Sequence, residues 1–327
     1  MKKLIFQHSG LLLAAALLIT LNLSSATAQT TPQPRRNAAW QLVSAVARDD
    51  ARTVNYLLAR GENPNVLDAN GDSALAIAIR NNNALIANEL LDKGANPNAA
   101  NANGVSVLGE LLDNRDSLLA RALLDKGANP NAKNKVGHSA LFLTVTNGDN
   151  LLTQALLDKG ANPNSASAQG ALALAKAVER GDNLMVLALL DKGANPDARA
   201  DNNLNLLVVA IGKDDALIAQ ELLDKGANPN ARNLEGDTAL HLAIKNSQSN
   251  VAQELLDKGA DPNTPDAKTY TPLMAATVSG NAKMVQMLLD KGADPNAQTK
   301  DGTTVKMLAE RNGHPSLVAM LQQHGAK

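Results

Sequence analysis

Histidine is the residue type in this sequence best suited to catalysis or metal binding, but its spacing supports neither. Beyond the first 28 residues the chain contains His138, His241, His314 and His324. No two of them form a His-Glu-x-x-His motif, in which imidazoles one helical turn apart share a zinc ion. We therefore expect no catalytic residues, no metal site and no cofactor.

Two short motifs resemble reactive sites, and both are incomplete. Gly137-His138-Ser139 resembles the start of a serine nucleophile elbow but lacks its second glycine. Residues 68–72 resemble a calcium loop but lack the ligand spacing and the distal bidentate glutamate. There is no glycine-rich phosphate loop. The sequence therefore predicts that Ser139 caps a helix, that residues 68–72 form a polar turn, and that the protein is not an enzyme.

The dominant pattern is the stretch LLDKGANPN, which recurs seven times with at most one substitution. Its glycine returns every 33 residues, at Gly94, Gly127, Gly160, Gly193, Gly226, Gly259 and Gly292. One further step in each direction reaches Gly61 and Gly325. A fixed period without insertions is typical of a stacked array, in which each unit buries its apolar face against its neighbours. The seven Asp–Lys pairs indicate a solvated edge of that array rather than a reactive site.

Each unit has the signals for two helices. In the unit at residues 71–98, Ser73 can cap a first helix over about 74–80, and Asn83 can cap a second over about 84–93. Gly94 can then end the second helix in the left-handed conformation. The second capping position is Asp or Asn in seven of nine units, Gln248 and His314 being the exceptions: Asp50, Asn83, Asp116, Asp149, Asp182, Asp215 and Asn281.

These units resemble the ankyrin repeat, a 33-residue hairpin loop followed by two antiparallel helices. Thr271-Pro272-Leu273-Met274 and Thr238-Ala239-Leu240-His241 are closest to the Thr-Pro-Leu-His start of the family's first helix. The resemblance covers residues 37–327 and implies an all-α solenoid of about nine stacked helix pairs with short hairpin loops. It divides the region into an N-terminal cap (37–65), full repeats (66–296) and a C-terminal cap repeat (297–327).

Several units depart from this signature. Leu172 replaces the capping Thr, and Gly109, Ala175 and Val208 replace the His. The resemblance implies that the hydrogen bonds of those side chains are weakened there, and that His241 has a structural role.

The first residues have the composition of a secretory signal peptide. Lys2 and Lys3 precede an apolar run over 11–21, and small residues follow up to Ala28. We expect residues 1–28 to be removed after Ala28, residues 29–36 to form a linker, and the product to be periplasmic or secreted. The alternative is an uncleaved membrane anchor, for which the apolar run is short, since a span needs roughly 20 residues. We expect no stable membrane insertion after cleavage.

The remaining composition disfavours nucleic-acid binding. Without Lys2 and Lys3 the chain has 29 basic and 32 acidic residues, the wrong sign for a phosphate-binding surface. Four scattered aromatic residues, Trp40, Tyr56, Phe142 and Tyr270, cannot form a base-stacking platform. The chain has no cysteine, so disulfides contribute nothing to its stability.

In ankyrin-like units the hairpin tips and the exposed side of the first helices line a concave binding face. By register, most positions on this face are polar or small. The candidate partner surface consists of seven exceptions together with Glu179 and Arg180: Val105, Val136, His138, Leu204, Leu234, Tyr270 and Val278. We call these nine residues the hairpin-tip face. We expect a monomer that binds a periplasmic protein through this face. The alternatives are that these residues only pack between neighbouring tips, or that the protein is an inhibitor or immunity protein that neutralises a toxic periplasmic enzyme.

Overall fold

The computed structural model describes residues 33–327, and their side chains from residue 39 onward. The predicted signal peptide and its cleavage site lie outside the described residues. The first helix begins at Gln33, inside the segment predicted as a linker. The chain divides into two compact units, residues up to Ala95 and Asn96–Lys327, which we describe separately.

The first unit contains two helix pairs. Helix α1 spans Gln33–Ala47 and α2 spans Ala51–Ala59, while α3 spans Ala74–Arg80 and α4 spans Ala84–Asp92. Within each pair the helices pack on each other, and α1 also packs on α3. The bounds of α3 match the prediction, and α4 ends one residue before the predicted position.

The second unit contains seven more pairs, so the described residues contain the nine helix pairs of the predicted all-α fold. The helices are α5 (Val107–Asn114), α6 (Ser117–Asp125), α7 (Ala140–Asn147), α8 (Asn150–Asp158), α9 (Ala173–Arg180), α10 (Asn183–Asp191), α11 (Leu206–Gly212), α12 (Ala216–Asp224), α13 (Ala239–Lys245), α14 (Ser249–Asp257), α15 (Pro272–Val278), α16 (Ala282–Asp290), α17 (Val305–Arg311) and α18 (Pro315–Gln323). First helices pack on first helices along the stack. Between pairs, hairpins close with isolated antiparallel bridges, such as Lys133 with Ser139, and residues 33–327 contain no strand.

The second helices begin where the sequence predicts. All seven predicted Asp and Asn side chains accept a hydrogen bond from the backbone N–H three residues on, satisfying a group that the helix itself cannot. Gln248 and His314 make no such bond. The Gln248 amide instead donates to the Ile211 carbonyl at 3.0 Å and to Asp214 at 2.5 Å, which ties its repeat to the one before.

The core is built from small and aliphatic side chains. Most first helices bury an Ala-Leu or equivalent pair, such as Ala140 and Leu141. The seven second helices that end in LLDKG bury its two leucines, such as Leu156 and Leu157. Alanine at the contact lets neighbouring helices approach closely, which accounts for the scarcity of aromatic residues.

The LLDKG lysines connect successive repeats. Lys192 Nζ lies 2.9 Å from an oxygen of Asp158, and Lys225 Nζ lies 2.6 Å from an oxygen of Asp191, both partners belonging to the preceding repeat. Hydrogen bonds from Lys192 and Gln154 lower the pKa of Asp158, and the bond to Asp191 raises the pKa of Lys225. Because these pairs are exposed, water and salt screen them, and each contributes little to the stability of the fold. The predicted solvated edge is therefore a ladder of ion pairs.

The last asparagine of GANPN joins repeats more firmly. The Asn164 side chain donates to the Gly193 carbonyl at 3.0 Å and accepts from the Asn195 N–H at 2.8 Å. Asn263 does the same with Gly292 and Asp294. These bonds satisfy backbone groups at the end of the next second helix. The nine residues recur because they form both the turn and the joint between layers.

Among the first helices of the repeats in residues 66–327, α9 lacks a capping side chain at its N-terminus. Leu172 occupies the capping position there, as the sequence predicts. We expect Leu172→Thr to raise the free energy of unfolding by about 0.5–2 kcal/mol, because a hydroxyl would accept the N–H of Ala175. Chemical denaturation followed by circular dichroism measures the change. Ser139→Ala, which removes an existing cap from α7, is the matched variant and should shift stability by a similar amount in the opposite direction. No gain in Leu172→Thr would show that the half-buried leucine contributes more than a cap.

Candidate protein-binding face

The hairpin tip before α7 is held by a buried asparagine and presents a valine to water. Asn134 Oδ1 accepts from the backbone N–H groups of Val136 at 3.2 Å and His138 at 2.9 Å. Its amide donates to Asp113 at 2.8 Å. Val136 itself is 53% exposed. The tip is thus rigid in its backbone and apolar at its end.

The tip before α13 is built in the same way. Asn233 Oδ1 accepts from the backbone N–H groups of Glu235 at 3.0 Å and Asp237 at 2.8 Å. Leu234 beside it is 73% exposed. Other repeats place Asp201, Ala168 or Lys135 in this register, so the leucine is not required by the hairpin.

Four of the predicted residues share one register, directly after the turn of the hairpin: Val105, His138, Leu204 and Tyr270. All four are half-buried. His138 also has a structural contact, because its Nδ1 accepts from the backbone N–H of Ala168 in the next hairpin at 3.1 Å. Its ring lies 5.4 Å from that of Phe142. This register therefore combines packing between tips with partial exposure.

The remaining three predicted residues lie at the ends of first helices. Val278 is exposed. Glu179 pairs with Lys176, whose Nζ lies 2.9 Å from the carboxylate. Arg180 is exposed, but its guanidinium donates to the carbonyls of Val145 at 3.1 Å and Thr146 at 2.9 Å. Arg180 thus satisfies the C-terminus of α7, and its contact with a partner stays a prediction.

Ion pairs lie beside these residues. Lys176 also contacts Asp201 on the next hairpin at 2.6 Å, and hydrogen bonds to Asp201 and Glu179 raise its pKa. Lys245 pairs with the largely buried Asp237 at 2.8 Å. The face therefore alternates apolar tips with fixed charges of both signs.

The structural role of His241 follows from its contacts. The ring is fully buried, with Nδ1 2.8 Å from Thr238 Oγ1 and Nε2 2.9 Å from the Tyr270 carbonyl oxygen in the next repeat. Burial lowers its pKa, since the charged form loses its hydration. His241 connects two layers and is inaccessible to a partner.

A second exposed apolar feature was missed by our reading of the sequence. The second residue of five successive second helices is an exposed leucine, at Leu85 in the first unit and at Leu118, Leu151, Leu184 and Leu217 in the second unit. We call the four residues of the second unit the leucine row. Their spacing of 33 residues is visible in the sequence, but the hairpin-tip face includes only residues of hairpins and first helices.

Metal-binding clusters, clefts and membrane-spanning helices were considered for the described residues alone. Within 33–327, no cluster of acidic and histidine side chains could hold a metal ion. A cleft of about 170 Å³ between α5, α7 and the start of α8 is lined by Arg115, Asp116, Asn147 and Asp149 among others. Ligand sites usually measure about 300–1,000 Å³. Over the same residues, no helix combines the length and the apolar character that crossing a bilayer requires.

Comparison with known proteins agrees with this architecture. The family model for ankyrin repeats (3 copies) matches residues 42–134, 112–200, 199–266 and 265–327. The comparison with curated proteins returned no match. Ankyrin repeats indicate a protein–protein interaction module, and proteins built from them are generally non-enzymatic. Because the matches extend over nearly all of the described residues, the chain belongs to the ankyrin-repeat family.

Proposed function

We propose that this interaction module binds a periplasmic protein through the hairpin-tip face. The observation that carries the proposal is the exposure of Val136 and Leu234 on tips whose backbones are already fixed by asparagines. Polar residues fill the same two registers in other repeats, for example Asn103 and Asp201. Apolar side chains kept in water at the ends of rigid loops are suited to insertion into pockets of a partner.

The energetic argument favours a few anchors. Burying an exposed leucine or valine contributes about 1.5–3 kcal/mol. Interfaces concentrate their free energy in a few such residues, with tyrosine among the most frequent. Leu234, Val136 and the half-buried Tyr270 are therefore expected to contribute most, and Val278 less.

The neighbouring charges are expected to provide orientation more than affinity. The Lys176–Asp201 and Lys245–Asp237 pairs are already formed, so a partner that contacts them gains specificity through complementary charge and faster association. A partner with a strongly charged surface of one sign would meet both signs here. We expect a partner with an apolar patch and a mixed polar rim.

The location in the proposal rests on the predicted signal peptide. We expect the exported chain to begin at Gln29, and its intact mass in a periplasmic fraction tests this directly. Ala28→Arg, which removes the small residue before the cleavage site, is the matched variant that should keep residues 1–28 attached. A cytoplasmic chain of full mass would contradict the proposed location.

The partner is tested by capture from a periplasmic extract of the native host. The bait is the exported chain, and the control is Tyr270→Ala/Leu234→Ser, two changes at partly or largely exposed side chains. One stoichiometric protein bound by wild type and lost by the control supports the proposal. The same proteins on both baits, or none on either, would contradict it. If the captured protein is a toxic enzyme that loses activity when bound, the module is an inhibitor.

A further inference from the structure

The leucine row has exposed fractions of 81% at Leu118, 72% at Leu151, 79% at Leu184 and 61% at Leu217. The four residues lie at the same place on α6, α8, α10 and α12, which stack in order within the second unit. With adjacent helices about 8–10 Å apart, the row is roughly 30 Å long. In this register the next repeats have Asn250 and Lys283, so the row ends at α12.

The residues beside the row distribute charge unevenly. One turn further along the two central helices lie Gln154, Ala155, Leu187 and Ala188, none of them charged. Charge appears only at the two ends, as exposed Arg121 on α6 and half-buried Glu221 on α12. The next turn carries Asp125, Asp158 and Asp191, each neutralised by a lysine of the following repeat.

We infer that the leucine row is the interface of a two-fold symmetric dimer of this chain. A two-fold axis parallel to the second helices, between α8 and α10, sets α6 of one copy against α12 of the other. Leu118 then faces Leu217 of the second copy, and Leu151 faces its Leu184. The same operation sets Arg121 against Glu221 of the second copy, twice. A surface that is apolar at its centre with opposite charges at its two ends is complementary to itself under this symmetry.

The size of the face indicates a weak dimer. Each of the four helices has nine residues. Four such helices, each about 13 Å long and about 8–10 Å from the next, offer roughly 500 Å² per copy. Stable interfaces bury about 800 Å² per partner. The dimer should therefore form only at high protein concentration and dissociate on dilution into the monomer that the sequence analysis expects. This inference concerns second helices and does not depend on the proposed function of the hairpin-tip face.

Sedimentation velocity over a dilution series of the purified chain tests the inference. Wild type should shift from monomer to dimer mass as concentration rises, and Leu151→Gln/Leu184→Gln should remain monomeric. Arg121→Glu should raise the dissociation constant about tenfold or more, since it sets like charges opposite each other. Arg121→Glu/Glu221→Arg should restore wild-type association. Lys283→Glu, at the same helix position outside the row, is the control and should associate as wild type does.

Three results would overturn the inference. The first is a wild type that stays monomeric at its highest soluble concentration or forms larger assemblies. The second is a Leu151→Gln/Leu184→Gln variant that associates as wild type does. The third is a charge swap that fails to restore association, which would exclude the two-fold arrangement. Thermal melts by circular dichroism must first show that each variant is folded.

Discussion

Replacement of His241 by alanine is expected to lower the free energy of unfolding by about 2–4 kcal/mol. The imidazole is fully buried and bonds both the Thr238 hydroxyl in its own repeat and the Tyr270 carbonyl in the next. Removing it leaves both groups without that partner and opens a cavity at the joint between α13 and α15. Chemical denaturation measures the change.

The loss of stability caused by His241→Ala should depend on pH, and the direction of that dependence follows from the pKa of His241. Burial depresses the pKa of His241 below its ordinary value of 6.5, against opposing contributions from Tyr270, Asp266 and Asp237. The unfolded chain therefore binds a proton that the folded chain does not, and this site lowers stability as pH falls through and below about 6.5. The difference between wild type and His241→Ala should shrink between pH 7 and pH 5.

The exposed His324 supplies the control for the stability measurement at pH 7. His324→Ala should change the free energy of unfolding by less than about 0.5 kcal/mol. A His241→Ala variant as stable as wild type would show that the joint does not depend on this side chain.

The second large effect is expected at Gly109, which occupies the same register in α5 that His241 occupies in α13. A Cβ added there would lie well inside van der Waals contact of the Lys133 carbonyl oxygen in the next hairpin. Gly109→Ala should therefore destabilise the chain by about 1–3 kcal/mol, because backbone must move to admit one methyl group.

The sign of the change in stability distinguishes two opposing effects of Gly109→Ala, the steric clash with Lys133 and the higher helix propensity of alanine. Helix propensity alone would make Gly109→Ala stabilising by about 1 kcal/mol. Alanine already occupies the register at Ala175, where Ala175→Gly should lower stability by about that amount. A gain in stability for Gly109→Ala would show that the hairpin and α5 are not in close contact at Lys133.

The helix starts could be predicted because their causes are local. An Asp or Asn caps a helix through the N–H groups of its own first turn, so the type of residue at one position decides the outcome, as at Asp149. The exceptions were equally local, and the uncapped Leu172 and Gln248 were both identified from the sequence.

The contacts between repeats could not be predicted from one unit. Lys192 neighbours Asp191 in the sequence, yet it pairs with Asp158, 34 residues earlier, because stacking sets the side chains of adjacent layers side by side. The close approach of Lys133 to Gly109 also depends on how two adjacent repeats pack against each other. For the same reason the role of Arg180 at the end of α7 was not anticipated.

The candidate site shows a different limit. The prediction placed both leucines, Leu204 and Leu234, on the hairpin-tip face without distinguishing their exposure. Leu234, in the turn itself, is exposed, whereas Leu204, directly after a turn, is half-buried. The leucine row was missed because leucines in LLDKG are buried, and Leu151 immediately precedes the buried Leu152. Only the position of each leucine around its helix distinguishes exposed Leu151 from buried Leu152.

The central claim is that the hairpin tips contact a protein partner, and site-specific photo-crosslinking in the native host tests it most directly. A photoreactive residue at position 234 should give one discrete crosslinked product in the periplasm, and position 136 should give a product with the same protein. Position 283, on the outer face of α16, should not yield that product. The account would be contradicted if all three positions gave the same crosslinked products, or if positions 136 and 234 gave none.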